Sequence, residues 1–345
     1  MEKDKSTLSK KRNKPLLIIG VIIAIILLVA LAVYIAVNIF LSSIRRIDPN
    51  AEYGSNLYGV DYPGNAAKDF TPENDPAETI FAGKNVVNIL VVGQDRRQWD
   101  EEGPQRTDAM ILCTIDRQKK TVTMTSFLPD LWVYVPGLYN QRLNMPYKLG
   151  GFPLLNNTLE YNFGIRADYN MEIDFYGFME AIDSIGGIEV SLSGAEAKYL
   201  NKRGNWGVVT DPKWHLKEGE NLLNGSQALA YTRIKELGTE FERTNRHTKL
   251  LKALALKIEG MSSADLFDLS REIFPLLCTD MTNNQMFELI LQLLPIMREL
   301  EIKTQHIPLN AHYTYEKKGE EDVLVLTKDQ LELTKKTLRQ TICGN

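Results

Sequence analysis

The sequence predicts an α/β body set outside a membrane by one N-terminal helix, and three observations carry that expectation. An uncharged apolar run, "LLIIGVIIAIILLVALAVYIAVNIFL", fills Leu16 to Leu41. Downstream, three β-branched apolar runs lie close together between turn-forming residues. Behind them come stretches with helical apolar spacing, several closed by glycine.

At about 1.5 Å per helical residue, the first run crosses a hydrocarbon core of roughly 30 Å. A cleaved signal peptide has a shorter apolar region followed by a small-residue cleavage site, so this span is read as uncleaved. Lys3, Lys5, Lys10, Lys11, Arg12 and Lys14 precede it; Arg45 and Arg46 follow, and then a mainly acidic and polar stretch. The positive-inside bias therefore predicts a cytoplasmic tail at 1–14, a membrane helix at 15–41 and everything beyond it outside, a single-pass type II arrangement. ATP and NAD are scarce there, which excludes most cytosolic chemistries. Residues 42–84, rich in Asn, Gly, Pro and acids, read as an extracellular stalk.

The chain has 345 residues, with 40 Lys and Arg against 44 Asp and Glu and a net charge of −4. That length suits one large domain or two smaller ones. Such a balance predicts no nucleic-acid partner, and any anion site must be local. The three cysteines, Cys113, Cys278 and Cys343, form no disulfide framework, and Cys113 in "AMILCTI" reads as a small buried apolar residue.

The body opens with "VVNILVVG" (Val86 to Gly93), "AMILCTID" (Ala109 to Asp116) and "TVTMTSFL" (Thr121 to Leu128). A hairpin-length "RQKK" separates the last two, and the long polar "QDRRQWDEEGPQRTD" separates the first two. As an antiparallel meander, these runs put the long loop at one end of a sheet and return the chain to that end after the third run. Asp95, Arg97, Arg106, Asp108 and Asp130 would gather there. Then "LLNNTLEYNFGI" and "FYGFMEAIDSIGG" read as helices, "IEVSL" as a strand and "GSQALAYTRIK" as a helix or its approach. Glu240 to Glu259 is the clearest amphipathic helix, with His247, Leu250, Leu251, Leu254 and Ile258 on one face and Gly260 as its stop. Beyond it come two apolar helical stretches, a strand-like "IKTQHIPL", a polar hairpin region and a last helix near "TKDQLELTKKTLRQTI".

The window "YTRIKELGTEFERTNRH" concentrates Arg233, Lys235, Arg243 and Arg246, with Glu236, Glu240 and Glu242 between them. Arg243 continues the inward stripe of the amphipathic helix, and Arg246 lies near it. Cations at a helix N-terminus make a pocket for an anion such as phosphate. The competing account has Glu240 and Glu242 neutralising Arg243 and Arg246 as surface pairs worth little. The four histidines occur singly with no HExxH pair, and there is neither a GxSxG elbow nor a Gly-rich phosphate loop. What remains is a pair of carboxylates bracketing one loop, Asp95 and Asp108, with arginines from two distant segments. Mg²⁺ is held by one or two carboxylates while substrate phosphates complete its shell, and arginine forks grip phosphate oxygens. The combination suggests a pyrophosphate substrate. The alternative is that both aspartates are turn formers or caps.

The blocks "NILVVGQDRR", "QRTDAMILCTID", "VTMTSFLPDLWVYVPG", "RLNMPYKLGG", "FMEAIDSIGGIEV", "LLNGSQALAYTRIK" and "FERTNRHTKLLKAL" resemble, in order and spacing, the LytR-CpsA-Psr family. The resemblance implies a central mixed β-sheet flanked by helices, α-β-α, with a catalytic-type domain at 85–262 and a C-terminal extension, 263–345, packed on it. It implies an extracellular enzyme that transfers a glycopolymer, such as teichoic acid or capsule, from an undecaprenyl-pyrophosphate carrier to peptidoglycan with Mg²⁺ or Mn²⁺. The polyprenyl tail would lie in an apolar interior between sheet and helices. By matching position, Asp95 and Asp108 would bind the metal, and Arg106, Arg233, Lys235, Arg243 and Arg246, with Arg97 nearby, would hold the pyrophosphate. Asp95, Asp108, Arg106 and Arg233 would carry catalysis. Breaking the bond between sugar and pyrophosphate builds charge on the leaving group, which cations stabilise, and Asp95 or Asp108 would take the proton from the attacking hydroxyl.

Three positions depart from the family pattern. Pro129 in "SFLPDLWV" stands where most members have arginine, Lys235 replaces the second arginine of an R-x-R pair, and His247 replaces a glutamine. If Arg142 or Arg97 fills the space left at Pro129, activity could persist. The alternative function is a catalytically weakened member that binds lipid-linked pyrophosphate or acts as a scaffold in wall assembly. A membrane-bound attenuator of transcription fits less well, with so short a cytoplasmic tail.

Overall fold

The structure, a computed structural model, describes residues 28, 31, 32, 34–47, 77–94, 106–202, 214–234, 236–238, 240–309 and 313–343. Residues 34–41 are helical and lead into β1 (Arg45–Arg46). The body begins with β2 (Val86–Gln94), β3 (Thr107–Asp116) and β4 (Thr121–Phe127), followed by the short pair β5 (Trp132–Tyr134) and β6 (Asn140–Arg142). Next come helix α1 (Met145–Phe163), β7 (Tyr169–Asp174), α2 (Phe175–Ser184), β8 (Ile188–Leu192), α3 (Gly194–Lys202), β9 (Gly219–Leu223), α4 (Gly225–Thr232) and α5 (Glu240–Glu259). The chain closes with α6 (Ser263–Ile273), β10 (Leu277–Thr279), α7 (Asn283–Leu293), β11 (Glu301–Ile307), the hairpin β12 (Thr314–Lys318) and β13 (Glu321–Val325), and α8 (Lys328–Cys343).

Among the described residues the central sheet has seven strands in the order β1-β10-β7-β2-β3-β4-β11. The three β-branched runs form the expected antiparallel meander, with Leu90 opposite Leu112 and Leu112 opposite Thr125. β7 joins parallel to β2, and β11 parallel to β4, while β10 is antiparallel to β7. The sheet is therefore mixed. Residues beyond 263 build into both of its flanks, through β10 on one side and β11 on the other.

Strand alternation sends successive side chains to opposite faces. On one face Leu90, Val92, Leu112 and Phe127 pack against Leu155, Leu159 and Phe163 of α1 and Leu338 and Ile342 of α8. None of these side chains is more than 2% exposed. The other face of the same strands, Val91, Gly93, Ala109 and Ile111, looks toward α2, α4 and α5. Those helices and the β8–β9 hairpin share their own core, which includes Ile182, Ile188, Val190, Leu223, Tyr231 and Leu250. The arrangement is α-β-α.

Helix α1 is longer than its sequence pattern suggests. Gly150 and Gly151 leave helical geometry within it, and Pro153 follows, so the apolar period breaks where the helix kinks. Among the described residues no helix is long and apolar enough to cross a membrane; the expected span at Leu16 to Leu41 lies largely outside them. Of the expected stalk, 48–76 also lies outside them, and both ends of that stretch touch the body. Arg45 and Arg46 pair with Cys278 and Thr279, and Ile80, 2% exposed, bridges Ile165.

Gly164 caps α1 with φ +73°, and a Cβ there would lie 2.2 Å from the Glu78 carbonyl oxygen. Gly137 has a similar φ of +79° but open space around it. Left-handed geometry alone costs an alanine about 1–2 kcal/mol. Gly137→Ala should lose about that much in urea unfolding, whereas Gly164→Ala should lose clearly more, since the 77–80 segment must also move. Equal losses would mean that this segment is not held against α1.

Candidate functional site

Site geometry starts at the ends of β2, β3 and β7. Gly93 pairs with Ala109, but Gln94 pairs with Thr107, so the register shifts by one residue and Asp108 has no partner of its own. A bulge of this kind re-aims the chain at a sheet end and is common beside functional sites. It places the backbone of Asp108 one residue after Thr107, while Asp95 follows Gln94 on the neighbouring strand. Arg106 is exposed immediately before β3. The return of the chain after β4 is as the meander requires: Thr107 N donates to the Asn144 carbonyl (3.5 Å), and Asn144 N donates to the Pro129 carbonyl (3.1 Å). Pro129 therefore sits beside the start of β3.

Behind these strand ends lies an apolar cavity of about 130 Å³. Val91, Gly93, Ala109, Ile111 and Ile173 form its floor; Phe178 and Ile182 of α2, Leu229 of α4 and Leu250, Leu251 and Leu254 of α5 form its roof. Small residues keep the floor low. A Cβ on Gly93 would lie 3.2 Å from the Ala109 Cβ, so a larger side chain at either position would fill the space.

Near the strand ends the lining turns polar, with Asp174, Thr232, Arg233, Arg243 and His247. Arg233 is the C-cap of α4, where the helix dipole favours a cation, and its guanidinium lies over the Phe175 ring at 4.9 Å from the centroid. Arg243 continues the inward stripe of α5 and is 4% exposed. His247, one turn on, has Nε2 3.1 Å from the Thr232 carbonyl; the carbonyl can only accept, so Nε2 carries the proton.

Arg246 departs from expectation. Its guanidinium is not among the groups lining the cavity; it lies 5% exposed against Glu196 and the carbonyls of Ile234 and Leu237. Three residues beyond Arg243, Arg246 is offset from it by only about 60° round α5, but that turn brings its guanidinium to Glu196 of α3. Arg142 does not fill the place left at Pro129 either. It pairs with Asp130 (3.3 Å) and Glu321 (3.4 Å) and donates to the Asp322 carbonyl (3.0 Å), tying β6 to the β12–β13 hairpin. Asp95, Arg97 and Lys235 lie outside the described residues, as does the side chain of Asp108. Among the described residues no group of three or more His, Cys, Asp or Glu could hold a metal ion. Of the expected Mg²⁺ ligands, Asp95 is next in sequence after the last residue of β2, and Asp108 stands at the bulge of β3.

Two further groups carry no distinctive sequence signal. Phe175, beneath Arg233, directly follows β7 and looks like an ordinary helix-start aromatic. Glu172 is 7% exposed and accepts hydrogen bonds from Gln94 Nε2 and the Tyr147 hydroxyl, so a buried carboxylate anchors the last residue of β2 just before Asp95. The alternation of β7 only marks it as one of two faces.

A three-layer α-β-α protein, with an apolar cavity that ends in arginines at its strand ends, is the class that fold and site define. The chain belongs to the LytR_cpsA_psr family, whose model matches residues 59–340. It is 29% identical over 188 residues to the polyisoprenyl-teichoic acid–peptidoglycan teichoic acid transferase TagT of Bacillus subtilis (strain 168), covering 54% of this chain and 57% of that protein. It is 32% identical over 199 residues to the regulatory protein MsrR of Staphylococcus aureus (strain COL), covering 57% and 56%. The chain thus spans less than two-thirds of the length of these curated relatives. In fold it is similar to a solved LytR-CPS2A-psr family protein, YwtF (TagT), with bound octaprenyl pyrophosphate lipid, at TM-score 0.57 and 21% identity over 79% of this chain and all (100%) of that one.

Removing one partner of a buried carboxylate leaves an acceptor desolvated and costs about 1–3 kcal/mol. Tyr147→Phe should therefore destabilise the protein by that amount in urea unfolding. A variant as stable as the parent would show that Glu172 does not need the phenol.

Proposed function

We propose that this chain transfers a glycopolymer from a polyprenyl-pyrophosphate carrier to peptidoglycan at the outer face of the cell membrane. The observation that carries the proposal is a cavity lined by apolar side chains that ends in cations, which suits an amphiphile with a hydrocarbon tail and an anionic head. The curated relative is named a teichoic acid transferase acting on a polyisoprenyl carrier, and a protein of the same fold carries octaprenyl pyrophosphate, which supports the same substrate class. Membrane anchoring by residues 15–41, with the N-terminus cytoplasmic and the body extracellular, belongs to the same proposal.

In this mechanism the tail lies over Gly93 and Ala109, and the pyrophosphate meets Arg233 and Arg243, with Arg106, Arg97 and Lys235 from the flanking segments. Cations at the phosphates stabilise charge on phosphate oxygens, which suits scission at phosphorus, the phosphotransferase chemistry that the family resemblance implies. The acceptor hydroxyl oxygen forms a bond to the glycan-bearing phosphorus, the bridging P–O bond breaks, and polyprenyl phosphate leaves. Asp95 or Asp108 takes the hydroxyl proton. Mg²⁺ or Mn²⁺ held by Asp95 and Asp108 would supply Lewis-acid stabilisation of the phosphate charge. Arg233 and Arg243 orient the phosphates, and the buried setting of Arg243 strengthens its interaction with them.

A second account, a weakened member that binds the carrier without efficient transfer, is favoured by Pro129, which lies beside the start of β3 where the family pattern has an arginine. The deciding assay uses the full chain with Mg²⁺, a lipid-pyrophosphate-linked saccharide and peptidoglycan. Under the transferase account the parent transfers the saccharide, Asp108→Ala abolishes transfer, and Arg243→Ala lowers it about 10²–10³-fold, the usual loss for one charge-stabilising donor. Transfer that appears only after Pro129→Arg would establish the binder account, and no binding of the carrier by either protein would overturn both.

A further inference from the structure

Arg246 spends its donors on the protein itself. Nε donates to Glu196 Oε1 at 3.1 Å, one terminal nitrogen donates to the Ile234 carbonyl at 3.0 Å, and the other to the Leu237 carbonyl. The two side chains are 5% and 16% exposed. Glu196 is itself held in place: its Oε2 accepts from Ser193 N (2.9 Å) and Ser193 Oγ (3.0 Å), and its own N donates to Ser193 Oγ (3.3 Å). That reciprocal pair is a capping box at the start of α3. Burial pushes the Glu196 carboxyl up, but the bonds from Ser193 and Arg246 outweigh it and hold the carboxyl below its ordinary range. A second tie runs from the same helix, because the Tyr199 hydroxyl donates to Glu236.

The bonds from the two terminal nitrogens of Arg246 and from the Tyr199 hydroxyl end on one short segment. Residues 233–239 join α4 to α5, so they set where Arg233, at the end of α4, lies relative to Arg243 and His247 on α5. The carbonyls at 234 and 237 are fixed through Arg246, and Glu236 through Tyr199.

We infer that Glu196 is a positioning residue for the cationic end of the cavity: acting through Arg246, it fixes the α4–α5 connection so that Arg233 and Arg243 face the same space. Arg246 is then a clamp and does not contact the substrate phosphate. Removing a carboxylate from a buried guanidinium leaves a charge without its counter-ion, so the clamp opens rather than shifting slightly. Glutamine at 196 keeps an amide oxygen that accepts from Arg246 and should rescue much of the geometry.

The inference rests on the proposed substrate class only for its binding arm, so the test has two arms on the full chain in detergent micelles. Hydrogen exchange needs no ligand: amides of 234–238 should exchange faster in Glu196→Ala than in the parent, with Glu196→Gln between them and the sheet amides of β2 and β3 unchanged. In the binding arm, Glu196→Ala should weaken octaprenyl pyrophosphate about 10-fold, in the range usual for losing a partner that orients a ligating group. It should leave uncharged octaprenol unaffected, and Arg246→Ala should match it, with the double variant no worse than either. Unchanged exchange at 234–238 would overturn the clamp. Equal loss of pyrophosphate and alcohol binding would make Glu196 a general structural residue, and additive losses would return Arg246 to the substrate. A parent that binds neither lipid overturns the carrier reading alone, and the exchange arm still decides the clamp.

Discussion

The open space above Gly93 and Ala109 persists because the sheet beneath it cannot bend to close it. Protein interiors pack to crystal-like density, and a void lined by apolar side chains costs on the order of 24 cal/mol per Å³, roughly 3 kcal/mol for a cavity of this size. Collapse is resisted from below by the buried layer of Leu90, Val92, Leu112 and Phe127 against α1 and α8. It is resisted from above by the second core, which ties α2, α4 and α5 to the β8–β9 hairpin. The helices that roof the cavity have their own apolar partners and need not descend onto the sheet. Two independent cores thus hold apart the surfaces between them.

The same separation governs the electrostatics. A guanidinium at a cavity mouth in bulk water would be screened, and its attraction for an anion modest. Arg243 is nearly shielded from solvent and Arg233 rests on the Phe175 ring, so both present charge from a low-dielectric wall. The C-terminal end of α4 offsets part of that cost for Arg233, whereas Arg243, in the first turns of α5, adds its charge to the positive end of a helix dipole. Under the proposed function, binding of an amphiphile would join the two effects, its tail filling the void and its head meeting the charge.

Much of this was legible in the sequence, and the parts that were not share a cause. The meander, the long loop at one sheet end and the stripe from Arg243 through His247 to Leu254 all follow from periods of two and 3.6 residues, which a single strand or helix reveals by itself. The bulge at Asp108 does not, because it is a property of two strands in register. The placement of Arg246 away from the cavity was hidden for the same reason: it is a cation near a site in sequence, but its carboxylate partner, Glu196, lies far along the chain. The capping box "SGAE" that fixes Glu196 was visible as Ser193 and Glu196, yet nothing local says what the second carboxylate oxygen meets. Gly150 and Gly151 hid the first turns of α1 by interrupting its apolar pattern.

Pro129 shows how a departure from a family pattern is absorbed. Proline has no N–H to donate, and the structure asks none of it; its carbonyl accepts from Asn144, which in turn accepts from Thr107, so the chain still returns to the bulge. Its neighbour Asp130 is neutralised by Arg142, and Glu321 and the Asp322 carbonyl hold that arginine from the hairpin side. Arg142 is thereby committed to the scaffold. Among the described residues, positive charge at this end of the cavity comes from Arg233 and Arg243, with exposed Arg106 ahead of β3. Under the proposed function, the grip on an anionic head would depend on how accurately the connection between α4 and α5 sets those two arginines, more than on how many arginines the sequence supplies nearby.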